Sequence, residues 1–232
     1  MNILSIECTH AALSAAVKKD DLITELKSAD WRKAAEALVP LIEAVMAKSA
    51  LEKCDLDGIA ISSGPGSFTS LRIGMSIAKG IAYGIGIPLI AVPTMPAMAA
   101  SFLSEKGKVM AVIQARKGEY YFAVYSSEEL SSGVWHDEVK RGSASDVAAA
   151  AQGAVVVGRQ LDELQSSLAA CGSAYAEADF FSASSLFPAA ERLYGAADAA
   201  GLDNVVPDYR QMFIPTVGSG QFIPHTPVRS AY

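Results

Sequence analysis

Residues 58–74 read GIAISSGPGSFTSLRIG. The first six form a short apolar run closed by glycine and proline, which predicts a buried strand over Gly58–Ser63. GPGSFTS follows as a loop, and helical spacing of apolar residues predicts a helix over Leu71–Gly84. Strand, glycine-rich turn and helix in that order form a building unit of an α/β sheet. In the turn, Gly64 and Gly66 allow backbone angles that side chains forbid, Pro65 stiffens the chain, and Ser67, Thr69 or Ser70 can cap the helix with an oxygen. A turn of this build is either a tight connection without a ligand or an anion site, because unpaired N–H groups and the helix dipole point the same way. No Gly-Lys-Ser/Thr follows, so a Walker loop is excluded.

Ahead of this unit, Asn2–Glu7, Ala12–Lys18 and Leu22–Lys27 are apolar or alternating runs parted by polar turns, as in an antiparallel meander. Trp31–Ala50 places Ala34, Leu38, Leu41, Ile42, Val45 and Met46 on one helical stripe. Behind the unit come a strand over Leu89–Val92 and a helix over Thr94–Leu103. The first half therefore reads βββαβαβα. After the polar turn Ser104–Lys108 the order begins again, with strands over Val109–Gln114, Tyr120–Tyr125 and Gly133–Lys140, a helix over Ser145–Ala151, a strand over Ala154–Gly158 and a helix over Leu161–Ala170. An alanine-rich helix over Ser184–Gly201 closes the second half, and the Gly/Pro-rich tail from Gln211 reads as irregular. The expected division is a first lobe over 1–104, a second over 105–210 and a tail over 211–232. Two βββαβα halves enclose a cleft, so the expected fold is α/β and two-lobed, similar to the duplicated actin-like and sugar-kinase-like, ribonuclease H-like superfamily.

With 232 residues, 51% hydrophobic and 19% charged, the chain can bury a sizeable core. Its 19 Lys+Arg against 25 Asp+Glu give a net charge of −6, so strong unaided binding to nucleic acid is not expected. Cys8, Cys54 and Cys171 are widely spaced and lack a CxxC pattern, consistent with a reducing cytoplasm. The opening residues lack a basic leader, so no export signal is expected. The apolar region Ile73–Val92 contains Lys79, four glycines and Pro88, which argues against a membrane span.

GPGSFTSLRIG, together with SIAKGIAYGIGIPLIAVPT downstream, closely resembles the signature of the TsaB (YeaZ) family of tRNA threonylcarbamoyladenosine biosynthesis proteins, historically filed with glycoprotease-like peptidases. The resemblance extends to Ile3–Thr9, to Pro40-Leu41-Ile42, to Gln114-Ala-Arg-Lys-Gly-Glu-Tyr-Tyr and to Pro207-Asp-Tyr-Arg, and is strongest over residues 1–125. It implies a non-catalytic partner of the larger paralogue TsaD, which transfers a threonylcarbamoyl group to the adenosine beside the anticodon, with the ATPase TsaE joining them. A component of that transferase complex has no intrinsic cofactor, since ATP and magnesium act in the partner proteins.

In the wider superfamily, carboxylates at the ends of the first strand of each half hold the metal that bridges nucleotide phosphates, because magnesium needs hard oxygen ligands. Those positions here are Glu7 and Gln114, and a neutral glutamine cannot supply the charge. Glu7 and Gln114, with Thr9 and Gly118, remain compatible with a weak nucleotide contact, and the competing reading of Glu7 is a solvated strand end. His10, His136 and His225 lie too far apart for a metal helix. GPGSF is not the Gly-x-Ser-x-Gly elbow of a hydrolase, and helix capping is the simpler role for Ser67. Cys8 reads as a buried small residue.

The helix over Leu71–Gly84 is apolar on two faces. One must cover the sheet, and the other suggests a second protein. The partner-facing residues are expected to be Leu71, Gly74, Met75, Ala78 and Ala82, which together with the outer face of Trp31–Ala50 would meet TsaD, or a second copy of the chain when TsaD is absent. A small-molecule kinase or ATPase of the same fold and a glycoprotease-like peptidase are the competing functions.

Overall fold

The computed structural model describes residues 1–9, 12–28, 33–103, 107–136, 138–159, 161–178, 182–197 and 199–210. The first sheet opens with β1 (Asn2–Glu7), β2 (Leu13–Lys19) and β3 (Leu22–Ser28), an antiparallel meander in which Glu7 stands opposite Ser14. β4 (Gly58–Gly64) lies parallel to β1, and β5 (Leu89–Pro93) lies parallel to β4. The order is β3-β2-β1-β4-β5. The second sheet repeats it with β6 (Lys108–Arg116), β7 (Glu119–Ser126), β8 (Lys140–Gly142), β9 (Ala154–Gly158) and β10 (Tyr175–Glu177), ordered β8-β7-β6-β9-β10. Matching each strand to its counterpart five positions on reproduces the first sheet strand for strand. The duplication is therefore a fact of topology.

Both faces of each sheet are covered, which is why the central strands read as nearly unbroken apolar runs. Helices α1 (Ala34–Lys48) and α2 (Phe68–Ile85) cover the outer face of the first sheet, where Leu4, Ile6, Ile59 and Ile61 meet Leu38, Val45, Met75 and Ala78. Helices α3 (Thr94–Ala100), α4 (Ser127–Ser132), α5 (Ala144–Ala150) and α6 (Asp162–Ala170) follow in the chain, and α5 and α6 cover the outer face of the second sheet. The inner faces of the two sheets share one core. In it Ile3, Ala60 and Ile90 join Val109, Ala111 and Tyr121 through Met95 and Met98 of α3 and Phe187 of α7 (Phe187–Leu193).

Three expectations differ from the structure. Gly133–Lys140 is not a strand: β8 spans only Lys140–Gly142, and the preceding residues include α4. Ser126 starts that helix with a capping box, its hydroxyl accepting from Glu129 N at 3.2 Å while Glu129 accepts from Ser126 N at 2.9 Å. The single helix expected over Ser184–Gly201 is broken into 3-10 turns at Ala183–Leu186, Tyr194–Ala196 and Ala199–Asn204 around the short α7. Pro188 at the start of α7 and Gly195 after it account for the interruptions. The segment also leaves the second sheet. Ser5 Oγ donates to Ala183 O at 2.7 Å, Ala183 N donates to Ser14 Oγ at 3.0 Å, and Ser182 and Ser184 donate to Glu25 at 2.6–2.8 Å, so β1, β2 and β3 all grip it. Trp31, His10, His225, most of the turn at Ser104 and the tail from Gln211 lie outside the described residues.

Candidate functional site

The glycine-rich turn sits at the carboxyl ends of β1 and β4, where parallel strands of an open α/β sheet commonly present ligand sites. Here those ends are filled by the chain itself. Glu7 is fully buried. One carboxylate oxygen accepts from Thr9 N at 2.6 Å and from the Thr9 hydroxyl, and the other accepts from the Ser62 hydroxyl. Burial pushes the Glu7 carboxyl above its ordinary range, and the bonds from Ser62 and Thr9 oppose that shift only in part. The reading of Glu7 as a solvated strand end is thus corrected: its oxygens are sealed by Thr9, just past β1, and by Ser62 on β4. Thr9 is buried with it, whereas Gln114 near the end of β6 is exposed, as is Gly118 in the turn before β7. The four residues grouped as a nucleotide contact therefore divide into a sealed pair on the first sheet and an open pair on the second.

The signature loop closes over this pair. Gly64 N donates to Thr94 Oγ1 at 3.1 Å, and Ser67 N donates to Thr9 O at 2.8 Å. A Cβ at Gly66 would stand 2.7 Å from Thr9 Cβ, so only glycine lets the loop lie on β1. Gly64 has φ +112°, and a Cβ there would meet Asp208 O at 2.4 Å. Asp208 belongs to the Pro207-Asp-Tyr-Arg segment, which straps across the loop through Asp208 N donating to Ser63 O at 2.7 Å. Pro65 is buried, Phe68 is 44% exposed and Thr69 is exposed. Ser67 is the residue before α2 but makes no side-chain cap; its hydroxyl accepts from Ser70 Oγ at 3.2 Å. The expected cap is corrected on that point. The backbone N–H of Ser67 is spent on Thr9 O.

Cys8 is 1% exposed, and its thiol donates to Ser70 O at 3.2 Å. Burial pushes the thiol far up, with the Glu7 charge adding to it, so it is no nucleophile. His136 stacks on Tyr125 with centroids 4.6 Å apart; its Nε2 donates to Val124 O at 3.0 Å and its Nδ1 accepts from Glu138 N at 3.1 Å. Both ring nitrogens are engaged, so His136 is not free to serve Ser67 as a base.

α2 turns its faces opposite to expectation. Leu71, Gly74, Met75, Ala78 and Ala82 are the residues that seat it on the sheet, each buried within its own lobe. Gly74 is the closest approach, where a Cβ would stand 2.3 Å from Cys8 Sγ. Outward lie Ser76, Gly80, Tyr83 and Gly84, with Tyr83 83% exposed. Between α1 and α2 runs an open, mainly apolar groove of about 470 Å³ lined by Val39, Met46, Gly80, Ile81 and Gly84. Two equally apolar faces gave the sequence no means to choose between them; the narrowness of the Cys8–Gly74 contact decides it.

Two further residues of the site carry a signal in the sequence itself. Ser62 is a polar residue at the end of a wholly buried strand, which requires a hydrogen-bond partner. Glu25 alternates onto the inner face of β3, where it gathers Ser14, Ser182 and Ser184. Among the described residues no helix is long and apolar enough to cross a membrane.

A family model described as TsaD, tRNA N6-adenosine threonylcarbamoyltransferase, matches residues 29–179. The chain is 35% identical over 140 residues to the tRNA threonylcarbamoyladenosine biosynthesis protein TsaB of Escherichia coli, covering 60% of each chain. It is 33% identical over 134 residues to the TsaB of Haemophilus influenzae, covering 57% of each. The chain thus spans about 60% of the length of these curated relatives. The solved structure of YeaZ from Pseudomonas aeruginosa superposes with a TM-score of 0.70 at 19% identity, over 90% of this chain and 99% of that one, and shows the fold to be the duplicated, two-lobed actin-like one. A family match across more than half of the chain, with TsaB-named relatives about a third identical to it, leads to one conclusion: the chain belongs to the TsaB/YeaZ family.

Proposed function

We propose that this chain is a non-catalytic partner of TsaD in threonylcarbamoyl transfer to the tRNA adenosine next to the anticodon. The observation that carries the reading is the sealed Glu7. Both of its oxygens are committed to Thr9 and Ser62, and the β6 end offers only the neutral Gln114, so the strand ends supply no paired hard ligands for a nucleotide-bound magnesium. What an ATPase of this fold would use for chemistry is used here to tie Thr9 to Ser62, two residues beside the signature loop. ATP and magnesium then act in the partner proteins, with TsaE as the ATPase, and the setting is the cytoplasm.

The surface we assign to TsaD is the groove between α1 and α2, with Gly80 and Gly84 permitting close approach of a partner helix and Tyr83 beside them. A second copy of the chain occupies it when TsaD is absent. The test is reconstitution of TsaD and TsaE with and without this chain, assaying threonylcarbamoyladenosine in tRNA. The expected result is modification only when the chain is present, with no ATP hydrolysis or peptide cleavage by the chain alone. Full modification in its absence, or ATPase activity of the chain that vanishes in Glu7→Ala, refutes the reading.

A further inference from the structure

A cavity of about 250 Å³ lies beside the signature loop, walled by Pro65, Met95, Val139 and Leu193. Trp135 and Asp208 also line it. Trp135 Nε1 is buried without a hydrogen-bond acceptor among the described residues. A buried indole N–H ordinarily donates to something. The Asp208 carboxylate is already taken by Arg210 Nε, at 2.7 and 2.9 Å, so the lining asks for an apolar occupant with one acceptor and not for a cation. Val134, next to Trp135, is 78% exposed, and Val206, two residues ahead of Asp208, is 66% exposed. Two exposed valines thus neighbour an apolar cavity with an unmet donor, the surface expected of a site that something covers.

At about 250 Å³ the cavity is smaller than the roughly 300–1,000 Å³ typical of small-molecule sites, and it suits one or two side chains. The chain carries such side chains just beyond the strap. Residues 211–217 read QMFIPTV, and Phe-Ile-Pro recurs at 222–224 after Gly218-Ser219-Gly220. Proline fixes its own φ and keeps the residue before it extended, so a Phe-Ile-Pro segment costs little to order and offers backbone carbonyls that no helix pairs. Reach is sufficient: Phe213 follows Asp208 by five residues, which span up to about 17 Å when extended. The strap is already turning at that point, since Asp208 Oδ1 accepts from Arg210 N at 3.3 Å and Arg210 sits at φ +38°, in the left-handed region.

We propose that residues 212–215 of this chain's own tail, Met-Phe-Ile-Pro, dock on the cavity, with Phe213 filling it and a backbone carbonyl of the segment accepting from Trp135 Nε1. The docked tail packs on Pro65 and so braces the signature loop. The docking is intramolecular and needs no other protein, so it goes beyond the role proposed with TsaD.

The test is NMR of the nitrogen-15-labelled full chain, read at the indole N–H signals of its two tryptophans, with Trp31→Phe assigning that of Trp135. A short tether gives an effective concentration on the order of 1 mM, so a single-anchor segment with an intrinsic Kd of about 0.1 mM is docked about nine-tenths of the time and slows indole exchange with water about tenfold. Phe213→Asp should release the segment and speed that exchange about tenfold, whereas Phe222→Asp should change it less than about twofold. A peptide of residues 211–217 added to the Phe213→Asp chain should restore the protection with a Kd of about 0.1 mM. In the wild-type chain, nuclear Overhauser contacts should join the Trp135 indole proton to residues 212–215. A circular dichroism melt confirms that each variant is folded. Equal exchange in wild type and Phe213→Asp, with no contact from the indole proton to residues 212–215, overturns the proposal and leaves the donor to water. So does release by Phe222→Asp alone, which seats the second repeat there. Protection that grows with chain concentration seats a second copy's tail and overturns it as well. The wild-type contact decides the matter even if Phe213→Asp fails to fold. None of these readouts involves TsaD, so the role in tRNA modification stands or falls apart from them.

Discussion

Gly74→Ala tests the packing that turns α2 toward the sheet. The added Cβ would stand 2.3 Å from Cys8 Sγ and 3.3 Å from Ile61 Cδ1, well inside van der Waals contact with sulfur. In an open helix position the same change would stabilise the chain by about 1 kcal/mol through helix propensity. In a closed one, overpacking costs about 1–3 kcal/mol or more, because α2 or the end of β1 must move. A shift of α2 also loosens Ser70 O from the Cys8 thiol and disturbs the loop lying on Thr9, so the upper part of that range applies and the net loss is about 1–2 kcal/mol. The geometry also predicts its own rescue. The Cβ of Cys8 lies 3.9 Å from the added methyl, an ordinary contact, so Cys8→Ala removes the clash. Urea unfolding of the two single variants and the double variant forms a cycle whose coupling should be at least about 1 kcal/mol, with the double variant more stable than the sum of the singles implies. A Gly74→Ala chain within about 0.5 kcal/mol of wild type, or strictly additive changes, would show that α2 is not pinned there.

Three further outcomes are expected. Between the ordinary carboxyl value of 4.5 and the raised value of folded Glu7, the folded chain holds more protons than the unfolded one, so this group makes stability fall as pH rises through that window and level off above it. Glu7→Gln should flatten that slope in urea midpoints taken across the window, and an unchanged slope assigns the pH dependence elsewhere. Burial alone would raise Glu25, but bonds from Ser14, Ser182 and Ser184 and the Lys27 charge hold it below its ordinary value, so its contribution is present above that value and lost as pH falls through the folded one. Glu25→Ala should cost about 1–3 kcal/mol and release the 182–184 segment, read as faster amide exchange at Ala183; unchanged exchange there refutes the clamp. Gly80 and Gly84 have open space where a Cβ would go, so alanine at either should stabilise the free chain by about 0.5–1 kcal/mol. The same variants should weaken TsaD binding in a pull-down, and undiminished binding moves the docking surface away from the α1–α2 groove.

Local patterns in the sequence determined a good deal. The opening meander, the buried β4 run, the glycine-rich turn and the helix behind it are each specified by periodicity and by residues with restricted or permissive backbones, which act within a few positions of themselves. Repetition of that pattern announced the duplication, and the neutral Gln114 already argued against a paired-carboxylate metal site. Weaker local signals misled: the apolar residues around Val134 resembled a strand, although Ser126 and Glu129 just before them encode a helix start, and the alanine run after Ser184 resembled one helix despite Pro188 and Gly195. Beyond reach altogether were the choices made between distant parts of the chain. Which apolar face of α2 meets the sheet depends on a single tight contact between Cys8 and Gly74, 66 residues apart. Whether Glu7 is solvated or sealed depends on Ser62 arriving beside it from β4. Such pairings arise when chain closure brings together groups that share no local pattern, so only the tertiary structure decides whether a polar residue is buried and partnered or free to act.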